Sequence, residues 1–168
     1  EICKKYDILF IADEVMTGLG RTGKMFAMEH WGVQPDIVTL GKGMTSGYTP
    51  MAATIASDRV IEPIMKGSKL VMSGHTFSAN PLSAAVSLAV IEYVEKHNLV
   101  QAAEEKGNYL MKKLQELKEQ FPIIGDVRGK GLLIGIELDE RLKSSELIQK
   151  ATNKGLLLYP AVAGKNGK

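Results

Sequence analysis

Two side chains of complementary chemistry, a carboxylate and an amine, follow successive apolar segments near the start of this 168-residue chain. Asp13 directly follows the apolar residues 8–12, and Lys42 lies between two glycines shortly after the apolar pair Ile37 and Val38. In an open α/β sheet, groups at the carboxyl ends of the strands face the ligand site. We therefore predict that Asp13 and Lys42 approach one ligand from two strands.

This pair suits pyridoxal 5′-phosphate (PLP), whose aldehyde forms a Schiff base with a lysine and whose ring nitrogen takes an acidic partner. Taken singly, Asp13 is more typical of a turn cap and Lys42 of a surface loop. The glycine- and hydroxyl-rich residues 73–81 open a predicted helix and form a good phosphate environment, which favours the cofactor hypothesis. His75 lies in that turn, where local hydrogen bonding is the more common role.

A nucleotide-binding phosphate loop is the rival interpretation. Gly18, Gly23 and Lys24 have the spacing of that motif, and they follow an apolar strand that ends in acidic residues. However, Met25 stands where a Ser or Thr hydroxyl would bind magnesium. The glycine loop also follows the supposed magnesium strand directly, and Lys42 would have no role. These departures disfavour a phosphate loop.

Composition excludes several other classes. The chain is 45% hydrophobic and 24% charged with a net charge of +2, which does not indicate a nucleic-acid or membrane partner. The single Cys3 cannot form an internal disulfide, as expected of a cytoplasmic protein. His30 and His97 have no metal-ligand spacing, so we propose no metal site.

Apolar periodicity predicts an α/β part followed by a smaller α+β part. A continuous apolar run at residues 8–12 predicts a strand covered on both faces, and alternating elements predict a parallel sheet. Asn80 and Pro81 predict a helix start, as N-cap and first helical residue. Further elements are predicted at residues 36–40, 51–56, 60–65, 123–124, 132–138, 145–153 and 155–159. The elements at both ends look incomplete, so we expect an internal piece of a longer protein.

Taken together, the motifs resemble the class III (ω-amino acid) aminotransferases, which are fold-type I PLP enzymes. The resemblance rests on IADEVxxGxGRTG at residues 11–23 and PDIVTLGKG at residues 35–43. It is supported by GHTF at residues 74–77 and VRGKG at residues 127–131. It implies part of a large PLP-binding domain with a mainly parallel sheet at residues 1–97, and part of a small α+β domain at residues 98–168.

The resemblance also implies the site residues. Lys42 would hold the cofactor as an internal aldimine and then move the proton during transamination. Asp13 would pair with the ring nitrogen, and Val15 would pack on one face of the ring. Thr76 would bind the cofactor phosphate in the neighbouring subunit, which implies a homodimer. The implied reaction is a ping-pong transfer between an amino donor (an ω-amino acid or amine) and a 2-oxo acid.

Met16 bears on the branch of the family. Ornithine, acetylornithine and 4-aminobutyrate aminotransferases typically carry Gln at this position, and the Gln side chain donates a hydrogen bond to the cofactor. Met16 cannot donate such a bond. This favours enzymes similar to ω-amine:pyruvate aminotransferase or diaminopelargonate synthase, with a glutamate-1-semialdehyde-aminomutase-like activity as another alternative. The arginine that often receives the substrate carboxylate would lie beyond Lys168, and Arg128 matches a mainly structural position. A non-catalytic fragment is the alternative from a different class.

We predict that residues 1–168, produced alone, do not transaminate. The resemblance places groups that stack on the cofactor and bind its phosphate upstream of Glu1, and Thr76 would act in a second subunit. Steady amino transfer from a donor amine to pyruvate or 2-oxoglutarate, assayed with saturating PLP, would contradict this prediction. The longer protein in the same assay is the control.

Overall fold

The computed structural model describes residues 1–139 and 141–161. Five strands form two separate sheets within these residues. The first sheet contains β1 (Ile11–Asp13), β2 (Ile37–Leu40) and β3 (Ala53–Ala56), and the second contains β4 (Ile124–Lys130) and β5 (Leu133–Leu138). The α-helices are α1 (Ile2–Lys5), α2 (Asp58–Lys66), α3 (Pro81–Lys96), α4 (Leu99–Gln120) and α5 (Ser144–Asn153). Short 3-10 helices cover Ala27–Trp31 and Lys42–Thr45.

The first sheet is mixed. Strands β1 and β2 are parallel, with Asp13 opposite Thr39, whereas β2 and β3 are antiparallel, with Leu40 opposite Ala53. The prediction of a parallel sheet was therefore wrong for β3. A parallel crossover usually contains a full helix. The segment between β2 and β3 contains only the 3-10 helix Lys42–Thr45, so the chain returns antiparallel.

Strand β1 also differs from its prediction. It begins at Ile11 rather than residue 8 and includes Asp13. Ala12 is buried, but Ile8, Leu9 and Ile11 are 51%, 45% and 57% exposed. The expectation of a strand covered on both faces was wrong for the described chain, because its other elements cover only one face of β1.

Helix α3 begins as predicted. The Asn80 side-chain oxygen accepts hydrogen bonds from the backbone N–H groups of Leu82 at 3.0 Å and Ser83 at 3.2 Å. Pro81 occupies the first helical position, where its missing N–H leaves no bond unmade. The start of α3 is thus fixed by its own sequence.

Helix α4 packs on the antiparallel hairpin of β4 and β5, with Ala103 and Val127 among the buried side chains. The Gln115 side-chain amide donates to the Val127 carbonyl oxygen at 3.1 Å and ties the helix to β4. The strand predicted at residues 155–159 was wrong, because this segment is irregular after α5.

Three backbone segments approach one another closely: the glycine loop after β1, helix α4 and the turn between β4 and β5. A Cβ at Gly131 would lie 2.4 Å from the Thr22 carbonyl carbon, and one at Gly107 would lie 2.2 Å from the Gly131 oxygen. The Leu132 N–H donates to the Arg21 carbonyl oxygen at 2.9 Å, and His30 Nε2 donates to the Thr22 carbonyl oxygen at 3.0 Å. The glycines allow this close approach because they have no side chain.

A large surface remains open. The accessible area is 13160 Å², whereas a compact monomer of this mass would expose about 8,100 Å². Large apolar side chains such as Tyr48, Met72 and Phe77 are more than 80% exposed. None of the helices in the described residues combines the length and apolar composition needed to cross a bilayer.

We predict that Gly131→Ala destabilises the full-length protein more than Gly32→Ala. Both glycines have a left-handed φ, +53° and +60°, so both variants carry the same backbone strain. A Cβ at Gly32 meets no described atom within 4 Å, so only Gly131→Ala adds a clash. Overpacking of about 2 kcal/mol should lower the thermal unfolding midpoint by about 4 °C relative to Gly32→Ala. Equal unfolding midpoints in the two variants would contradict the close approach of Gly131 to the Thr22 backbone.

Candidate active site

The parallel pairing of β1 and β2 brings two of the predicted site residues to one edge of the first sheet. Asp13 is the last residue of β1 and lies opposite Thr39. The Glu14 N–H donates to the Thr39 carbonyl oxygen at 2.9 Å and extends the pairing past Asp13. Lys42 follows β2 at the same edge, because parallel strands end on the same side of a sheet.

The Asp13 carboxylate is held but still accessible. Its Oδ1 accepts a hydrogen bond from the Val15 N–H at 3.0 Å. This bond restricts the rotation of the side chain and bends the chain sharply after β1. Asp13 is exposed, so its carboxylate can accept a further donor from a ligand.

Lys42 is the first residue of the 3-10 helix Lys42–Thr45, and its own backbone is in the left-handed region, at φ +44°. This conformation costs a non-glycine residue about 1–2 kcal/mol. A Cβ at the preceding Gly41 would lie 3.5 Å from Val15 Cγ1, so the Val15 side chain is next to the backbone from which Lys42 projects. Lys42 is exposed and Val15 is half-buried. The structure thus brings Asp13, Val15 and Lys42 together.

Thr76 is not part of this cluster. It lies in an exposed loop whose described hydrogen bonds are local. The His75 N–H donates to Ser78 Oγ at 3.0 Å, and the Ser78 N–H donates to the His75 carbonyl oxygen at 2.8 Å. No hydrogen bond among the described residues joins Thr76 to Asp13 or Lys42.

Sequence reasoning assigned no role to Glu14, which is only 3% exposed. Its carboxylate accepts hydrogen bonds from the Thr17 hydroxyl and from the Met28 N–H, the latter at 3.0 Å. Glu14 therefore holds the chain after β1 against the 3-10 helix Ala27–Trp31. The signal was the period of two along a strand, which directs the side chains of Asp13 and Glu14 to opposite faces.

Glu14 also borders an apolar cavity of about 420 Å³ behind the sheet edge. Phe26, Met28, Val33 and Val38 contribute to its lining. The cavity lies on the Glu14 side of β1.

A second charged cluster holds the opposite ends of the two strands. The Phe10 N–H donates to the Asp36 carboxylate at 2.8 Å, and Arg59 binds the same carboxylate at 3.1 Å. The Phe10 hydrogen bond and the Arg59 charge together lower the pKa of Asp36 below its ordinary value. Arg59 also contacts Asp7. Because Asp36 stays ionised, these bonds persist at neutral pH and help to keep β1 and β2 in register.

The chain is similar to known proteins over nearly its whole length. The family model of the class-III aminotransferases matches residues 1–166. The uncharacterized aminotransferase YodT of Bacillus subtilis is 51% identical over 175 residues, covering 98% of this chain and 39% of the relative. The acetylornithine aminotransferase of Caldanaerobacter subterraneus is 41% identical over 160 residues, covering 94% of this chain and 38% of the relative.

Solved structures agree. An amine transaminase from an uncultivated Pseudomonas species, in a PLP-bound form, superposes with a TM-score of 0.89 at 39% identity. The superposition covers 95% of this chain and 39% of that structure. It confirms the predicted fold class: the chain has part of the fold of the fold-type I PLP-dependent transferases. The chain spans about two-fifths of the length of the curated relatives, at 39% and 38%. The match over nearly its whole length shows that this chain belongs to the class-III aminotransferase family.

Proposed function

We propose that the whole protein catalyses PLP-dependent transamination between an amino donor and a 2-oxo acid. The observation that carries this proposal is the position of Asp13 and Lys42 at one edge of the parallel pair β1–β2. Membership of the class-III aminotransferase family supports the same chemistry.

The residues at this edge fit the cofactor. A pyridine ring needs an anionic partner for its protonated nitrogen, an apolar contact for its face and an amine for its aldehyde. Asp13, Val15 and Lys42 provide these three groups. When bound, PLP supplies an electron sink for the carbon from which the amino group leaves.

Each residue then has a distinct role. Asp13 would keep the ring nitrogen protonated through a charge-assisted hydrogen bond, which would support the electron sink that the cofactor supplies. The Val15 N–H fixes the direction of that carboxylate, and the Val15 side chain would pack on the ring. Lys42 Nζ would hold the cofactor aldehyde and, when free, would serve as the base that carries the proton during transfer.

Thr76 is proposed to act in a second subunit, which makes the enzyme a homodimer. The supporting observation is that its loop is exposed and bonds only locally within the described chain. Phe77 and Tyr48 are 82% and 83% exposed, and a partner subunit would cover such side chains. We place this dimer in the cytoplasm, consistent with the free Cys3.

We also propose that residues 1–97 belong to the large cofactor-binding domain and residues 98–168 to the small domain. In support, Asn98 interrupts the helices with a left-handed φ of +51° between α3 and α4. The sheets likewise divide there, because β3 precedes this residue and β4 follows it.

The donor is proposed as an ω-amino acid or amine. Met16 is 59% exposed beside Asp13 and carries no hydrogen-bond donor, which supports a site unlike those of the family branches with Gln there. The relatives include an acetylornithine aminotransferase and an amine transaminase at 41% and 39% identity. Because the two sequence identities are similar, they do not favour one amino donor over another. A screen of amino donors with pyruvate and 2-oxoglutarate as acceptors is the direct experiment.

We predict that Lys42→Ala in the full-length protein removes the visible band of PLP joined to a lysine as a Schiff base, and with it the adduct fixed by borohydride. The amine at position 42 is the covalent attachment point, so no other lysine should replace it. Lys66→Ala is the matched control, because Lys66 lies in α2 and pairs with Glu62 at 2.7 Å. An adduct mapped by peptide mass to Lys24 or Lys66 in the wild-type protein would disprove the assignment.

We predict that Asp13→Asn slows the full-length enzyme about a hundredfold, because losing the anionic partner costs about 3 kcal/mol in the transition state. The variant keeps the shape of the side chain. The rate of one half-reaction, measured at saturating PLP and donor, is the readout. Asp58→Asn is the control, because Asp58 is an exposed residue in the first turn of α2. A wild-type rate for Asp13→Asn would exclude Asp13 as the ring partner.

A further inference from the structure

The backbone around Lys42 is held in an unfavourable conformation. Lys42 and Ser46 have left-handed φ angles of +44° and +50°, although neither is glycine. Such residues keep these angles only where surrounding contacts hold them. Backbone hydrogen bonds contribute, from the Met44 N–H to the Gly41 carbonyl oxygen at 3.0 Å and from the Ser46 N–H to the Gly43 carbonyl oxygen at 3.1 Å. These bonds lie within the turn and do not fix its position in the molecule.

We propose that Thr45, Thr49 and Ser83 form a hydroxyl chain that positions Lys42 for proton transfer. The Thr45 hydroxyl donates to the Thr49 carbonyl oxygen at 2.5 Å. Thr49 Oγ1 lies 2.9 Å from Ser83 Oγ, and Ser83 Oγ donates to the Pro50 carbonyl oxygen at 3.4 Å. Either hydroxyl can be the donor between Thr49 and Ser83, and both directions join the two side chains. The connection therefore runs from the Lys42 turn to helix α3 through both the backbone carbonyl and the hydroxyl of Thr49.

The hydroxyl chain is buried and attached to helix α3, and both properties stabilise it. Thr45 and Ser83 are 2% and 5% exposed, so water does not replace their bonds. Ser83 lies in the first turn of α3, where its own N–H donates to Asn80 Oδ1. The hydroxyl chain thus attaches the Lys42 turn to a capped helix of 16 residues.

The consequence rests on the proposed function, in which Lys42 binds PLP and moves the proton. Lys42 must return its amine to the same position in each half-reaction. A displacement of about 1 Å can slow a positioned reaction by up to about a hundredfold. Thr45 and Ser83 do not touch the reacting atoms in this proposal. They are positioning residues, so their loss should lower the rate of the proton transfer rather than donor binding.

The test uses the full-length enzyme with bound PLP and the variants Thr45→Val and Ser83→Ala. We expect each to slow a single half-reaction about tenfold at saturating donor, with less than about a twofold change in the donor KM. We also expect a shifted pH profile of the visible cofactor band, because the amine has moved. Thr45→Ser retains the hydroxyl and should restore both properties. If Thr45→Val does not fold, Ser83→Ala alone decides the outcome.

Ser87→Ala is the matched control. Ser87 is 4% exposed and lies one turn after Ser83 on the same face of α3. Ser87→Ala therefore removes a similarly buried hydroxyl that does not belong to the hydroxyl chain. Similar unfolding midpoints for the two serine variants, with a slow half-reaction only in Ser83→Ala, would support positioning. Wild-type half-reaction rates and pH profiles in both Thr45→Val and Ser83→Ala would overturn it.

Mapping of the borohydride adduct separates this inference from the proposed function. An adduct on Lys42 combined with unchanged half-reactions overturns the hydroxyl chain alone. An adduct on another lysine in the wild-type enzyme overturns the proposed function and this inference together.

Discussion

The candidate site depends on the register between β1 and β2. Their hydrogen bonds place Asp13 opposite Thr39, and the strand ends at this edge carry the carboxylate, the valine and the lysine. Side chains alternate between the faces of a strand. A slip of one residue would therefore turn Asp13 to the face now occupied by Glu14 and move it by about 3.3 Å along the strand. The site would then lose its acid.

Separate contacts at both ends of the strand pair oppose such a slip. At the start, Asp36 accepts a hydrogen bond from Phe10 and binds Arg59. At the end, the Glu14 N–H donates to the Thr39 carbonyl oxygen at 2.9 Å, and the buried Glu14 carboxylate is itself held by hydrogen bonds from Thr17 and Met28. Losing a hydrogen bond to a buried carboxylate leaves a buried polar group without a partner, which costs about 1–3 kcal/mol of folding free energy. The register is thus held by polar contacts as well as by the strand pairing.

The open surface of the described chain leaves room for further polypeptide, and the proposed dimer would fill part of it. The described chain covers one face of β1 and leaves apolar side chains such as Ile11 and Phe77 exposed. Burying apolar area is worth about 25 cal/mol per Å², so these faces favour further polypeptide packing on them. In the proposed dimer, a second subunit on the Thr76 loop would cover apolar surface, and Thr76 would contribute to the phosphate site.

The sequence by itself determined the family, the main elements and the identity of Asp13, Val15 and Lys42 as candidates. These properties are encoded locally, in apolar periodicity, in the Asn80–Pro81 helix start and in ordered motifs. Only the tertiary structure decided the antiparallel direction of β3, the limited burial of β1 and the buried role of Glu14. It also decided the close approach of Gly131 to both Gly107 and Thr22. The hydrogen bonds that connect Thr45 to Ser83 through Thr49 likewise appear only in the folded chain. The physical reason is that each of these depends on contacts between segments far apart in the chain, whereas sequence patterns report the preferences of each segment separately.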